Sequence, residues 1–345
     1  MKMKSLYPSL ITRDASSAIK GLLMLLIIFG HTGLLTTDFS TGERTFFWLW
    51  LYTFHVTVFL ILPFIYGYER SGDEKQRLKN DIKHNLIKIG IPYCWFFALS
   101  ALIFVTVGGG SFHPKGMLYA FLFGNQPLMD QYIGFNFIWF MPALLALSIL
   151  KSLWYNSSRF VRYCMLTIAV VLWLLAIFNI LPPNTAGMYV PFSLSQAFYY
   201  LPLGLAARWL VERTSTKKAL PWVVLLIVAI TTMMYFQRSM QWPAVIHYYS
   251  LYRLVLPVAM FMLLHGLSDW LSKSKFLKTI GIYSFQVYLV HVYVINILLV
   301  VFLRFWPQSI ALGAMIYVLT LAISMGLAVV MVRVRFVNKV LFPKG

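Results

Sequence analysis

Apolar positions in this chain come in long runs, and polar positions are confined to the gaps between them. A helix needs about 20 apolar residues to cross a bilayer. Ten stretches qualify: 18–37, 46–67, 84–107, 135–153, 161–181, 195–212, 219–236, 248–268, 280–303 and 308–332. The pattern predicts an all-α, polytopic integral membrane protein of about ten transmembrane helices. No repeat recurs, and no gap is long enough for an appended soluble domain, so a single membrane domain is expected over residues 1–345. The longest gap, 108–134, contains GGGSFHPKG and GNQPLMDQYIGFN, and 182–194 reads PPNTAGMYVPFSL. Gly, Pro and Asn predict loops there, and the accompanying aromatic residues also suit a rim that touches sugar.

Composition agrees with this reading. Hydrophobic residues make up 60% and charged residues 11%, against about 25% charged in a soluble domain. Mean hydropathy is +0.75. The net charge of +19 does not indicate nucleic acid, because Lys and Arg sit between apolar runs rather than along one face. Their distribution orients the chain instead. With the N-terminus in the cytoplasm, inner segments carry 24 of the 29 cations, including Lys2, Lys4, Arg70, Lys75 and Lys344. Outer segments carry only Arg44, Lys115, Arg238 and Arg304, and Arg253 falls inside the eighth run. Both termini are therefore expected in the cytoplasm. Lys2, Lys4 and Arg13 give the first run a basic flank, yet no small-residue cleavage site follows it, which predicts a retained helix. Cys94 and Cys164 lie in apolar surroundings without a CxxC partner and read as buried free thiols.

The candidate chemistry lies in the polar residues that interrupt the runs. In SAIKGLLMLLIIFGHTGLL, residues 17–35, Lys20 precedes His31 by eleven positions. Eleven residues are close to three helical turns, so both side chains share one face within roughly 20°, about 16 Å apart along the axis. Lys20 starts the run at the cytoplasmic side, where a snorkelling anchor is the plain alternative. His31 lies past the middle of the membrane. An ionisable group there is costly and points to function, or else to a helix–helix hydrogen bond. His55 in the second run, Arg253 near the outer end of the eighth, and His291 in the ninth are further candidates, with Trp139 as an aromatic platform or an interfacial anchor. His265 reads as interfacial, and His84 and His113 as loop residues. Outer acids are few (Asp38, Glu43, Asp130), and no intramembrane carboxylate pair exists. That argues against glycoside hydrolysis and weakens proton-coupled transport. No Walker A loop and no metal-ligand set is present.

Four stretches resemble one family. IKGLLMLLIIFGH (19–31) resembles the first helix of the bacterial membrane-bound acyltransferase-3 proteins, which pair a basic residue and a histidine across ten intervening positions. FHVTVFLILPFIYGY (54–68) is similar to their second helix, FIWFMPALLAL (137–147) to their Trp-Phe-x-x-Ala-Leu segment, and IGIYSFQVYLVH (280–291) to their late Tyr-Leu-x-His signature. Lys20 stands where the family more often has Arg, and binds phosphate as a point charge rather than a fork.

The resemblance implies an O-acyltransferase, most simply an O-acetyltransferase of polysaccharide, lipopolysaccharide or a related cell-envelope glycan. It implies acetyl-CoA as a donor substrate with no bound cofactor, a surface or lipid-linked sugar as acceptor, and the bacterial inner membrane as location. Lys20, Lys83 and Lys88 would meet the donor phosphates. His31 would serve as general base or as acyl carrier. His55, Arg253, His291 and Trp139 would support it or bind substrate, with Arg253 suited to an oxyanion or an anionic sugar. A glycan or lipid transporter, or a non-catalytic partner of a polysaccharide synthase, are the other readings that this pattern admits.

Overall fold

The computed structural model describes residues 8–33, 43–66, 74–181, 190–240 and 248–343. Lys2, Lys4, Arg70 and Lys344, the acid Asp38 and most of 182–194 lie outside the described residues, as does the side chain of Lys75. Among the described residues the regular structure is helical: α1 (Arg13–His31), α2 (Phe46–Ile61), α3 (Glu74–Asn85), α4 (Ile91–Thr106), α5 (Pro114–Phe123), α6 (Gln126–Ile133), α7 (Phe140–Asn156), α8 (Arg159–Ile177), α9 (Leu194–Arg213), α10 (Thr216–Met240), α11 (Tyr248–Gly266), α12 (Ser268–Leu271), α13 (Lys275–Ile282), α14 (Ser284–Phe302), α15 (Ile310–Arg333) and α16 (Arg335–Leu341). Each of the ten expected runs coincides with a helix. Eight are long and apolar enough to cross a membrane, and the apolar part of α11, Leu251–Gly266, is shorter. The protein is an all-α, multi-pass membrane protein.

α1 runs through the middle, packed against α2, α13, α14 and α15. It starts earlier and ends earlier than the 18–37 run suggested. The Thr12 hydroxyl accepts from the Ala15 amide and caps the N-terminus, and the polar Ser16 and Ser17 are buried rather than solvated. Ser16 pairs with the Tyr66 hydroxyl. At the other end Thr32 closes the helix and Gly33 takes a positive φ of 77°, which glycine accepts without a Cβ penalty. His31 is thus the last helical residue, and Lys20 lies two turns inside the helix rather than at its start.

Lipid tails are as apolar as Leu, so helices in a bilayer associate by close packing rather than by hydrophobic exclusion. α1 and α13 show this at Gly21 and Gly281. A Cβ on Gly21 would sit 2.0 Å from the Leu277 carbonyl oxygen, and one on Gly281 1.7 Å from that of Ser17. Backbone meets backbone here, and larger residues cannot fit. Around this crossing, Ile19, Leu23, Met24, Ile27 and Ile28 of α1 are fully buried with Phe54, Leu60 and Phe64. α8 and α10 are peripheral, with only 17% of their apolar stretches buried, so Val171, Leu174, Leu225 and Val228 are left for lipid. Cys94 and Cys164 are free thiols but exposed, not buried as their surroundings suggested. Apolar neighbours in sequence do not imply burial when the neighbours themselves face lipid.

Two features correct the expected loops and termini of helices. The gap 108–134 folds as the hairpin α5–α6, turning at Gly124 with a positive φ of 64°. The Tyr93 hydroxyl donates to the Phe121 carbonyl at 2.7 Å, and Tyr93 lies 13 residues, about 20 Å, from the far end of α4. Gly134, by contrast, packs on Phe104 near that end. The hairpin therefore dips down beside α4 and returns. The second feature is the π segment Leu86–Gly90 between α3 and α4. Pro92 has no N–H to give the Lys88 carbonyl, and the helix widens there.

At the end of the bundle that carries Lys20, Arg208 is buried and donates to the carbonyls of Phe64 (2.9 Å), Tyr66 (3.0 Å) and Pro8 (3.0 Å), while its Nε pairs with Glu212 at 2.7 Å. It ties α9 to the C-terminal carbonyls of the second span and to the chain entering α1. Lys151 similarly donates to the Pro63 carbonyl at 2.6 Å. His265 lies within 3.0 Å of the Leu10 carbonyl and 3.3 Å of the Thr216 hydroxyl. These side chains, read from the sequence only as orientation signals or interfacial groups, are internal fasteners.

Candidate functional site

The face of α2 that looks at α1 is built by helical spacing. Trp48, Tyr52 and His55 stand at i, i+4 and i+7, one above another. Trp48 stacks on Tyr52 with centroids 4.4 Å apart, Tyr52 meets His55 edge-on at 4.7 Å, and the Arg44 guanidinium lies 5.4 Å over the Trp48 ring. From α1, His31 meets this ladder: its Nδ1 is 3.4 Å from the Tyr52 hydroxyl. From α14, His291 approaches the other side of His31, the two rings 5.3 Å apart between centroids. Tyr288, one turn below His291, donates to the Phe137 carbonyl. That bond pulls the short turn Asn136–Trp139 in beside the histidines, and Phe137 lies 5.8 Å from the His291 ring.

His55 and His291 are fully buried. In each, Nδ1 is 2.6 Å from a carbonyl of its own helix, Leu51 and Tyr288 respectively. A carbonyl only accepts, so each Nδ1 carries the proton and each Nε2 presents a lone pair. Neither Nε2 finds a hydrogen-bond partner among the described residues.

Two cavities meet at His31. The larger, about 400 Å³, is lined by His31, Arg44, Trp48, Tyr52, Gln126, Asn136, Phe137, Trp139, Gln196, Tyr199, Tyr200, Arg253 and Tyr288, with Ile27, Val56 and Thr57. The smaller, about 350 Å³, lies between α1, α14 and α15 and shares His31 and Arg44 with the first. The larger cavity combines seven aromatic side chains with three amides and two guanidiniums, and among the described residues no carboxylate lines either cavity. The dipping hairpin brings Gln126 to it, and the kinked start of α9, with Phe192 and Ser193 at positive φ and Ser193 bonded to the Gly124 carbonyl at 2.8 Å, brings Gln196. α14 continues eleven residues past His291, about 16 Å, so the paired histidines are recessed below the ends of their neighbours.

Of the residues singled out from the sequence, His31, His55, His291, Arg253 and Trp139 gather at this centre, with His55 and His291 behind the cavity wall and the others in it. Lys20 is half-buried on the same face of α1, about 16 Å from His31 by helical rise, and Lys88 and Arg13 are close enough to act on its charge. Lys83 is exposed on α3, and no contact joins it to Lys20 among the described residues. Sequence reading missed Arg44, Tyr52, Tyr288, Gln126, Asn136 and Gln196. The signal for two of them was present: Trp48–Tyr52–His55 and Tyr288–His291 are face-sharing pairs around histidines already marked. The amides come from the hairpin and from a kinked helix start, and nothing in their local sequence marks them.

A sequence profile described as an acyltransferase domain, of the acyltransferase-3 type, matches residues 14–332. No curated protein and no solved structure matches the chain significantly.

Proposed function

The chain belongs to the acyltransferase-3 family, and from that premise we propose that this membrane acyltransferase moves an acetyl group from cytoplasmic acetyl-CoA to a hydroxyl of a surface or lipid-linked glycan. The observation that carries this reading is the position of His31. It ends the helix face that begins with Lys20, and it forms part of the wall of an aromatic- and amide-lined cavity. The donor is polyanionic at one end and reactive at the other, with an extended pantetheine arm between. Lys20, with Lys88 nearby and Lys83 on the helix leading to it, supplies charge for the phosphates, and the thioester then reaches His31. Aromatic faces and amides on the other side suit a sugar, which offers CH faces and hydroxyls. Arg253 and Arg44 serve the developing oxyanion or an acid group on the glycan, and Trp139 stacks on the ring.

A sugar hydroxyl needs a base within hydrogen-bond reach. His31 Nδ1 takes the place, toward the acceptor, that it now holds toward the Tyr52 hydroxyl. The acceptor oxygen bonds to the acetyl carbonyl carbon, the carbon–sulfur bond breaks, and the hydroxyl proton passes through His31 to the departing CoA sulfur. No cofactor is required. Cytoplasmic termini, a single membrane domain and a bacterial inner-membrane location belong to the same proposal, and the charge distribution supports the first of these. The test is His31→Ala in cells that make the glycan. Loss of O-acetyl groups with normal protein level is expected, and a fully acetylated glycan would overturn the role of His31.

A further inference from the structure

General bases in acyl transfer are commonly held in place by a carboxylate that accepts the second ring N–H. Here no carboxylate lines either cavity among the described residues, and a neighbouring imidazole offers an acceptor instead. His291 meets the requirements. Its ring lies 5.3 Å from that of His31 between centroids, tilted by 60°, near enough that turning the His31 ring brings two ring nitrogens within about 3 Å, hydrogen-bond range. Its own proton is committed to the Tyr288 carbonyl at 2.6 Å, so its Nε2 is an acceptor, is buried, and has no hydrogen-bond partner among the described residues, His31 included. His291 lines neither cavity. Tyr288 fixes the same turn of α14 by bonding to the Phe137 carbonyl, and the Gly21–Gly281 crossing sets α13 and α14 against α1 ten residues below both histidines.

We propose that His291 is the positioning residue of His31. In the reacting site a turn of the His31 ring brings its Nε2–H to the unpaired His291 Nε2, which leaves Nδ1 with the lone pair that faces the cavity. The chain is then His31, His291 and the Tyr288 carbonyl, with a neutral imidazole in the position a carboxylate occupies in other acyl-transfer sites. When His31 takes the acceptor proton, its positive charge is steadied by this second ring rather than by an anion, and the apolar surroundings never have to hold a buried carboxylate. His291 keeps its own proton throughout.

This inference rests on the base role of His31 and is tested beside it. Purified full-length protein in detergent is given radiolabelled acetyl-CoA and a cell-envelope glycan extract, and glycan labelling is followed for wild type, His31→Ala, His291→Gln and His291→Leu, with thermal unfolding measured for each. Gln offers an acceptor oxygen at the reach of Nε2, and Leu offers none. His291→Leu is expected to lose about 100-fold in kcat with KM for the glycan unchanged, and His291→Gln to recover at least tenfold of that at the same unfolding temperature. Equal kcat in the Leu and Gln variants, or a change in KM alone, would overturn the positioning role. Full activity in His31→Ala would instead overturn the reading beneath it.

Discussion

Replacing Gly281 by alanine puts a methyl carbon 1.7 Å from the Ser17 carbonyl oxygen and 3.0 Å from the Gly21 amide nitrogen. Both obstacles are backbone, so no side chain can swing away. To reach ordinary van der Waals contact α1 and α13 must separate by about 1.5 Å. α13 passes directly into α14 at Tyr283, and the displacement is delivered ten residues on to His291, while α1 carries its share to His31. Overpacking of this kind costs about 1–3 kcal/mol, which a multi-pass protein survives. A misplacement of about 1 Å between reacting groups costs roughly 100-fold in rate. CoA release from acetyl-CoA in the presence of a cell-envelope glycan extract is therefore expected to fall about 100-fold in kcat while the protein stays folded by thermal unfolding. Gly326→Ala is the control, since nothing lies within 4 Å of a Cβ there, and wild-type activity is expected. A folded Gly281→Ala protein with wild-type kcat would refute the argument that this crossing sets the histidine geometry.

Three other outcomes follow from named contacts. Arg208→Met leaves the Phe64, Tyr66 and Pro8 carbonyls without their donor and should cost about 3 kcal/mol, read as a lowered unfolding temperature, whereas Arg213→Met should cost little. Trp139→Ala should raise KM for the glycan by up to about tenfold with kcat unchanged, measured by initial rates of glycan labelling. Lys217 pairs with Asp269 at 2.8 Å, and its hydrogen bond and charge hold the Asp269 carboxyl below its usual range. That stabilisation is present above the ordinary carboxylate pKa and is lost as pH falls through the lowered value, so the small difference in unfolding temperature between wild type and Asp269→Asn should be present at neutral pH and vanish in acid.

Much of the fold is legible because hydropathy reports the need to cross a bilayer. Ten runs were visible and each became a helix, and eight satisfy length and apolarity together. The boundaries of α1 were not legible, because Ser16 and Ser17 look like loop residues and are buried by pairing with Tyr66 and by the close approach of α13. The α5–α6 hairpin was hidden by its Gly and Pro residues, although MLYAFLF is an apolar helical stretch. At the site, the Lys20–His31 spacing marked the axis, since a cation and an imidazole stand out in apolar sequence. Tyrosines at Tyr52 and Tyr288 did not stand out, because aromatic residues are common at membrane interfaces. Arg208 was counted with the orientation signals, and only its three carbonyl partners reveal its structural task.

On this account the Lys20–His31 axis receives an acyl-CoA donor, and His31 activates the acceptor hydroxyl that attacks it. The most direct measurement is CoA release by purified protein given radiolabelled acetyl-CoA and a cell-envelope glycan extract, comparing wild type with His31→Ala and Lys20→Ala. Turnover that disappears with His31, together with a raised KM for acetyl-CoA in Lys20→Ala, is the predicted result. Equal turnover in all three proteins, or protein that neither binds nor cleaves acetyl-CoA yet moves a lipid-linked sugar across a vesicle membrane, would contradict it.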